Sequence, residues 1–197
     1  MGLEFFGGYS NSKLGNNYGT MQINSFRVAN RPAMQVTVGH EFFHMVQSLH
    51  DMRWFLPKAI LQPPHHWLNE ATAVWSEEAF SDDPNYVSAA RDGVEKKPFR
   101  GLVAGKMEGE EAHGYGMSAL IKYLVMEHGV EIVPEIYSYI DLEYSAIEAL
   151  DLTLEDLTVW WDDFLVRYVE GDIYTIPPTD FIGIRDGKFS VRTEDDT

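Results

Sequence analysis

Cysteine is absent from all 197 residues, which excludes disulfides, thiolate zinc sites and a thiol nucleophile. Positive charge is scarce. The 15 Lys and Arg face 31 Asp and Glu, for a formal net charge of −16. That balance argues against nucleic acid and anionic membrane surfaces as partners, because both reward basic patches. No apolar run approaches the roughly 20 residues that cross a bilayer, so no membrane span is expected. The opening MGLEFFGGYSNS has neither a basic region nor an apolar stretch of the signal-peptide kind. The chain thus reads as an intracellular protein or as a mature or excised piece of a longer one. For an excised domain, a secreted or cell-surface location is the favoured expectation. A hydrophobic content of 45% is ordinary for a folded domain of this length.

Along the chain, Gly, Asn and Ser dominate residues 1–31, with apolar–polar alternation at Leu3–Phe6 and Thr20–Phe26. This pattern predicts two or three short strands, with turns near Gly7-Gly8 and Gly15–Asn17. Pro32 suits the first turn of a helix, since its fixed φ is already helical. Met34, Val38, Phe42, Met45, Val46 and Leu49 then keep helical spacing up to His50 or Arg53. Pro57, Pro63 and Pro64 break the chain, and a second helix is predicted over His66–Phe80, stopped by Ser81–Pro84. A short helix at Tyr86–Val94 precedes a polar loop. Further helices are expected at Tyr115–Glu127 (closed by Gly129), Ile132–Ile140, Tyr144–Leu150 and Leu154–Val169, the last with Thr153 as N-cap. The stretch Ile173–Val191 reads as strands or an extended arm. The expected fold class is α+β, a small N-terminal β-sheet followed by a mostly helical body. Residues 1–170 would form the domain and 171–197 a C-terminal segment of it or of a truncated neighbour.

The sharpest chemical signal is His40-Glu41-Phe42-Phe43-His44, an HExxH on the first predicted helix. Four helical residues turn through about 400° and rise about 6 Å, so both imidazoles leave one face within reach of one ion. Two ring nitrogens can then meet Zn²⁺ at about 2.0–2.1 Å. Glu41 points about 100° away, where it can serve as general base toward a water rather than as a ligand. The pattern arises by chance in roughly two per cent of shuffled chains, so a third ligand has to decide. An amphipathic core helix that merely carries two histidines is the plain alternative.

Two residues compete for that third place. His50 makes HEFFHMVQSLH similar to the metzincin pattern HExxHxxGxxH. That pattern needs Gly at the seventh step, where the helix must turn back, and this chain has Gln47. On a continuing helix His50 would lie about 15 Å along the axis from His40, out of reach. The other candidate is Glu70 in His66-Trp67-Leu68-Asn69-Glu70-Ala71.

HEFFH followed by the Glu of an Asn-Glu-Ala helix resembles the gluzincin metallopeptidases, the thermolysin- and aminopeptidase-like group. The resemblance covers about Gln35–Ile140. It implies His40, His44 and Glu70 as ligands of one Zn²⁺ and Glu41 as catalytic acid/base, with a peptide or protein as substrate. Tyr115, in His113-Gly114-Tyr115-Gly116 at the head of a later helix, matches the family's donor to the reaction oxyanion, with His113 as the alternative. Thermolysin-like members carry an acid four residues after the ligand Glu. Here that position is Val74, which leaves Glu77 as the natural substitute and Glu78 as the less well placed one, against the plain reading of a solvated acidic helix end. Other readings stay open. One is a metzincin-like site using His50; another is an incomplete zincin domain that only binds. His65 and His66 read as cleft-lining or helix-approach residues, although His66 stands four before Glu70 and could add a metal contact.

Overall fold

The structure is a computed structural model, which describes residues 7–11, 19–23, 30–50, 65–83, 86–88 and 110–174. Two strands, β1 (Gly7–Asn11) and β2 (Gly19–Ile23), pair antiparallel with Tyr9 opposite Met21. Six helices follow among the described residues. They are α1 (Arg31–Gln47), α2 (His66–Phe80), α3 (Glu110–His128), α4 (Ile132–Ile140), α5 (Ala146–Leu154) and α6 (Leu157–Glu170).

The expected α+β class, with an N-terminal sheet as part of the architecture, is therefore corrected. Among the described residues the core is helix packed on helix, and the extended backbone amounts to one pair of five-residue strands. Such a ribbon is too small to form a layer that buries a face of its own. Gly7-Gly8, expected in a turn, opens β1 instead. The proposed strand at Leu3–Phe6, the turn at Gly15–Asn17 and residues 175–197 lie outside the described residues.

Helix α2 is the central element. Trp67 through Val74 are all buried, as are Ser76 and Glu77. A helix covered all round must be enclosed by neighbours, and here α1 and α3 flank it. Two glycines permit the close approach. A Cβ at Gly39 of α1 would collide with the ring of Phe80, and one at Gly114 of α3 would collide with Glu70 Cβ. Met117, Leu120, Ile121 and Leu124 of α3 join Ile136, Leu150 and Phe164 of the later helices in one continuous core.

The helix ends follow local chemistry. Asn30 caps α1, its side chain accepting from the Ala33 amide at 3.4 Å, with Pro32 in the first turn as expected. Helix α1 ends at Gln47 and passes into a 3-10 turn over Ser48–His50. Gly129 closes α3 with φ 85°, the left-handed conformation that favours glycine. Ser145 and Glu148 form a reciprocal capping box at the start of α5. The predicted break before α6 moves. Thr153 lies inside α5, where its hydroxyl donates to the Ala149 carbonyl at 2.7 Å, and Asp156 caps α6 by accepting from the Thr158 amide at 3.0 Å. Asp is the stronger N-cap, and the chain uses it. The short helix expected from Tyr86 is not found over Tyr86–Ser88, and the rest of that segment lies outside the described residues.

The buried face of α1 also differs from the apolar stripe in the sequence. Val36, Gly39, His44 and Gln47 are buried, while Phe42 and Leu49 are each 49% exposed. The face turned to α2 combines a polar network with the Gly39–Phe80 and Phe43–Trp75 contacts.

Candidate metal centre

Helices α1 and α2 bring three ligand side chains together. His40 Nε2 lies 3.1 Å from His44 Nε2, Glu70 Oε2 lies 3.7 Å from His40 Nε2, and Glu70 Oε1 lies 3.6 Å from His44 Nε2. The side chains are 13%, 9% and 10% exposed in the order His40, His44, Glu70. Ligands about 2.0–2.1 Å from a tetrahedral ion are roughly 3.3 Å from one another, close to these separations. The three residues form a buried group that could hold a metal ion.

The rear of each imidazole is anchored. His40 Nδ1 donates to Glu77 Oε1 at 2.8 Å, a direction fixed because a carboxylate can only accept. Tyr86 in turn donates its hydroxyl hydrogen to Glu77 Oε2 at 2.6 Å. Burial and the Glu77 contact both push the Tyr86 pKa above its ordinary value, so this phenol keeps its proton. His44 Nδ1 lies 2.7 Å from Gln47 Oε1. With both Nδ1 atoms engaged at the back, the Nε2 atoms are the ones that face Glu70. A partner on one ring nitrogen fixes the orientation of the other.

Electrostatics show what the group does without a cation. Burial alone would lower the His40 pKa, but the nearby Glu70 carboxylate and the hydrogen bond to Glu77 overcome it and raise the value from 6.5 to about 9. Burial alone would raise Glu70, but the imidazoles of His40 and His44 beside it bring it from 4.5 to about 2. A proton on His40 and an ionised Glu70 thus stand where a divalent cation would supply the positive charge.

The remaining expected residues divide. Glu77 is buried and bonded to His40 Nδ1, so it is not part of a solvated helix end. Glu78 does not join the site and pairs with Lys122 at 3.0 Å. His50 is held elsewhere, its Nδ1 3.0 Å from Asp141 Oδ2 and its ring 5.4 Å from that of Tyr137. Tyr115 is half-buried beside the centre, with its ring 6.4 Å from that of His40. His113 is buried against Trp67 at 5.5 Å between rings. Glu41, on α1 between the two histidines, is half-buried. His66 adds a third imidazole near the carboxylate, Nε2 to Glu70 Oε1 being 3.8 Å.

Two supporting residues were missed in the sequence. Gln47 reads there only as an obstacle to a metzincin turn, although its place three residues after His44, on the same helix face, was a usable signal. Tyr86 follows a helix stop and carries no periodic signal at all. No family model, no curated protein and no solved structure matches the chain.

Proposed function

We propose that the chain is a zinc-dependent metallopeptidase with a gluzincin-type constellation carried on a helical scaffold. The observation that carries this reading is the inward convergence of two imidazole nitrogens and one carboxylate, 3.1–3.7 Å apart, on two separate helices. Two nitrogens and one oxygen, without thiolate, form the donor set of catalytic rather than structural zinc sites, which leave one position open. When bound, zinc would supply Lewis acidity, polarising a carbonyl and making water acidic enough to ionise near neutral pH.

In this reading the chain's own residues divide the work. His40, His44 and Glu70 hold the ion, and Glu77 keeps His40 turned toward it. Glu41 takes the proton from the attacking water and passes it to the departing amine. The Tyr115 hydroxyl donates to the oxyanion that forms on the former carbonyl oxygen, a contribution of about 3 kcal/mol where such donors have been removed. Water therefore gains a bond to the carbonyl carbon, the C–N bond breaks, and the proton ends on the amine. A charge of −16 favours the approach of neutral or cationic peptides.

The test compares the purified wild type with Glu41→Gln for bound zinc and for cleavage of a quenched peptide library. Equal zinc in both, with turnover confined to the wild type, supports the reading. Equal zinc with no turnover in either would leave a binding module instead.

A further inference from the structure

His44, the second imidazole of the candidate centre, is joined to α4 by a buried chain of hydrogen bonds. Gln47 Nε2 donates to the Asn69 carbonyl at 2.8 Å and to Thr72 Oγ1 at 2.6 Å. Tyr137 donates its hydroxyl hydrogen to Asn69 Oδ1 at 2.8 Å, and its oxygen lies 2.9 Å from Thr72 Oγ1. Gln47, Asn69, Thr72 and Tyr137 are all buried.

Donor counting fixes the arrangement. A backbone carbonyl can only accept, so the atom of Gln47 facing Asn69 must be its NH₂. Both amide hydrogens are then used, and the Gln47 oxygen is the atom left to meet His44 Nδ1. That oxygen accepts, so Nδ1 carries hydrogen and Nε2 is the ring atom turned toward Glu70. Flipping the amide would set oxygen against the Asn69 carbonyl in a buried place, which is costly. Tyr137 thus bonds the Asn69 side chain, while Gln47 bonds the Asn69 backbone carbonyl. The Tyr137 oxygen also abuts Thr72 Oγ1, whose hydroxyl reaches the Leu68 carbonyl at 2.8 Å.

We infer that Tyr137, on α4 and in a different helix from every proposed zinc ligand, is a positioning residue for the metal centre that acts through Asn69, Thr72 and Gln47 on His44. The inference rests on the metal-site part of the reading above and not on its peptidase part. Helix α4 becomes the back plate of the site. His50, paired with Asp141 just beyond α4, fastens the end of α1 to the same plate.

The experiment measures the Zn²⁺ dissociation constant by competition with a chromophoric chelator and the visible spectrum of the Co²⁺-loaded protein. The proteins are wild type, Tyr137→Phe, Gln47→Leu and Tyr123→Phe. Tyr123 is an equally buried tyrosine whose hydroxyl bonds Asp163 at 2.7 Å, on the side of α3 facing α6, so it controls for simple loss of a phenol hydrogen bond. Tyr137→Phe and Gln47→Leu are expected to weaken zinc binding by about 10-fold or more and to shift the Co²⁺ bands, as changes behind a ligand do. Tyr123→Phe should alter neither. Wild-type affinity and spectrum in Tyr137→Phe, or equal weakening in Tyr123→Phe, would overturn the inference while leaving the metal site standing. Should Tyr137→Phe not fold, Gln47→Leu decides by the same criterion. A wild type that binds no Zn²⁺ overturns the metal-site reading itself, and the inference with it.

Discussion

The backbone of Gly114 lies directly against the stem of Glu70. A Cβ at position 114 would collide with Glu70 Cβ and would come within 2.6 Å of the Trp67 carbonyl oxygen. Helix α3 thus presses on the one turn of α2 that carries Glu70. In the proposed metal site, packing and the placement of Glu70 are coupled through this contact.

Gly114→Ala should therefore lower stability by about 1–3 kcal/mol, the usual cost of forcing a methyl into a packed core. It should also weaken zinc binding, because Glu70 must move with the turn. Chemical denaturation and a zinc titration on the same preparation check both effects. Loss of stability with full zinc affinity would show that Glu70 is not held by this contact.

Glu77→Gln keeps the shape behind His40 but removes the charge. Zinc affinity should fall about 10- to 100-fold, the range found when the partner behind a ligating histidine is changed. Competition titration measures it. An unchanged dissociation constant would reduce Glu77 to a bystander of His40.

The pH dependence of the metal-free protein follows from two opposed shifts. His40 is raised from 6.5 to about 9, so its contribution to stability is complete below 6.5 and is lost as pH rises through about 9. Glu70 is lowered from 4.5 to about 2, so its contribution is complete above 4.5 and is lost as pH falls through about 2. Both are fully present between about pH 4.5 and 6.5, where melting in the presence of a chelator should place the plateau of this cluster's contribution. In the proposed site, zinc binding at pH 7 displaces the His40 proton. Calorimetry in buffers of different ionisation enthalpy should then show release of about one proton from the cluster, declining above about pH 9.

How much of this was legible in the sequence depends on what each residue needs. His66–Phe80 and Ile132–Ile140 were read with the observed bounds, because proline or glycine stops stand beside strong apolar periodicity. His40 and His44 were readable from helical spacing alone, whereas Glu70 was singled out only by the resemblance to the gluzincin pattern. The buried face of α1 was not. Its sequence shows an apolar stripe through Phe42 and Leu49, whereas the structure turns His44 and Gln47 inward. Periodicity registers which residues are oily, and it is blind to a polar network completed by Asn69, Thr72 and Tyr137 from other helices. The N-terminal strands were legible only as extended segments. Alternation cannot tell a lone ribbon from the edge of a larger sheet.

His50 offers a discriminating substitution. It is bound to Asp141 at 3.0 Å and stands apart from the histidine pair, so His50→Ala should keep one zinc per chain and lose only modest stability. Glu70→Ala should lose the zinc. Metal analysis of the two variants side by side checks this, and the reverse pattern would restore a metzincin-like arrangement.

The central claim is that one cation is gripped by the two α1 imidazoles and the α2 carboxylate. Crystals of the zinc-loaded protein, with anomalous maps collected on either side of the zinc edge, test it most directly. The account predicts a single strong peak about 2.0–2.2 Å from His40 Nε2, His44 Nε2 and a Glu70 oxygen. A peak at His50 and Asp141, or none between the two helices under saturating zinc, would contradict it.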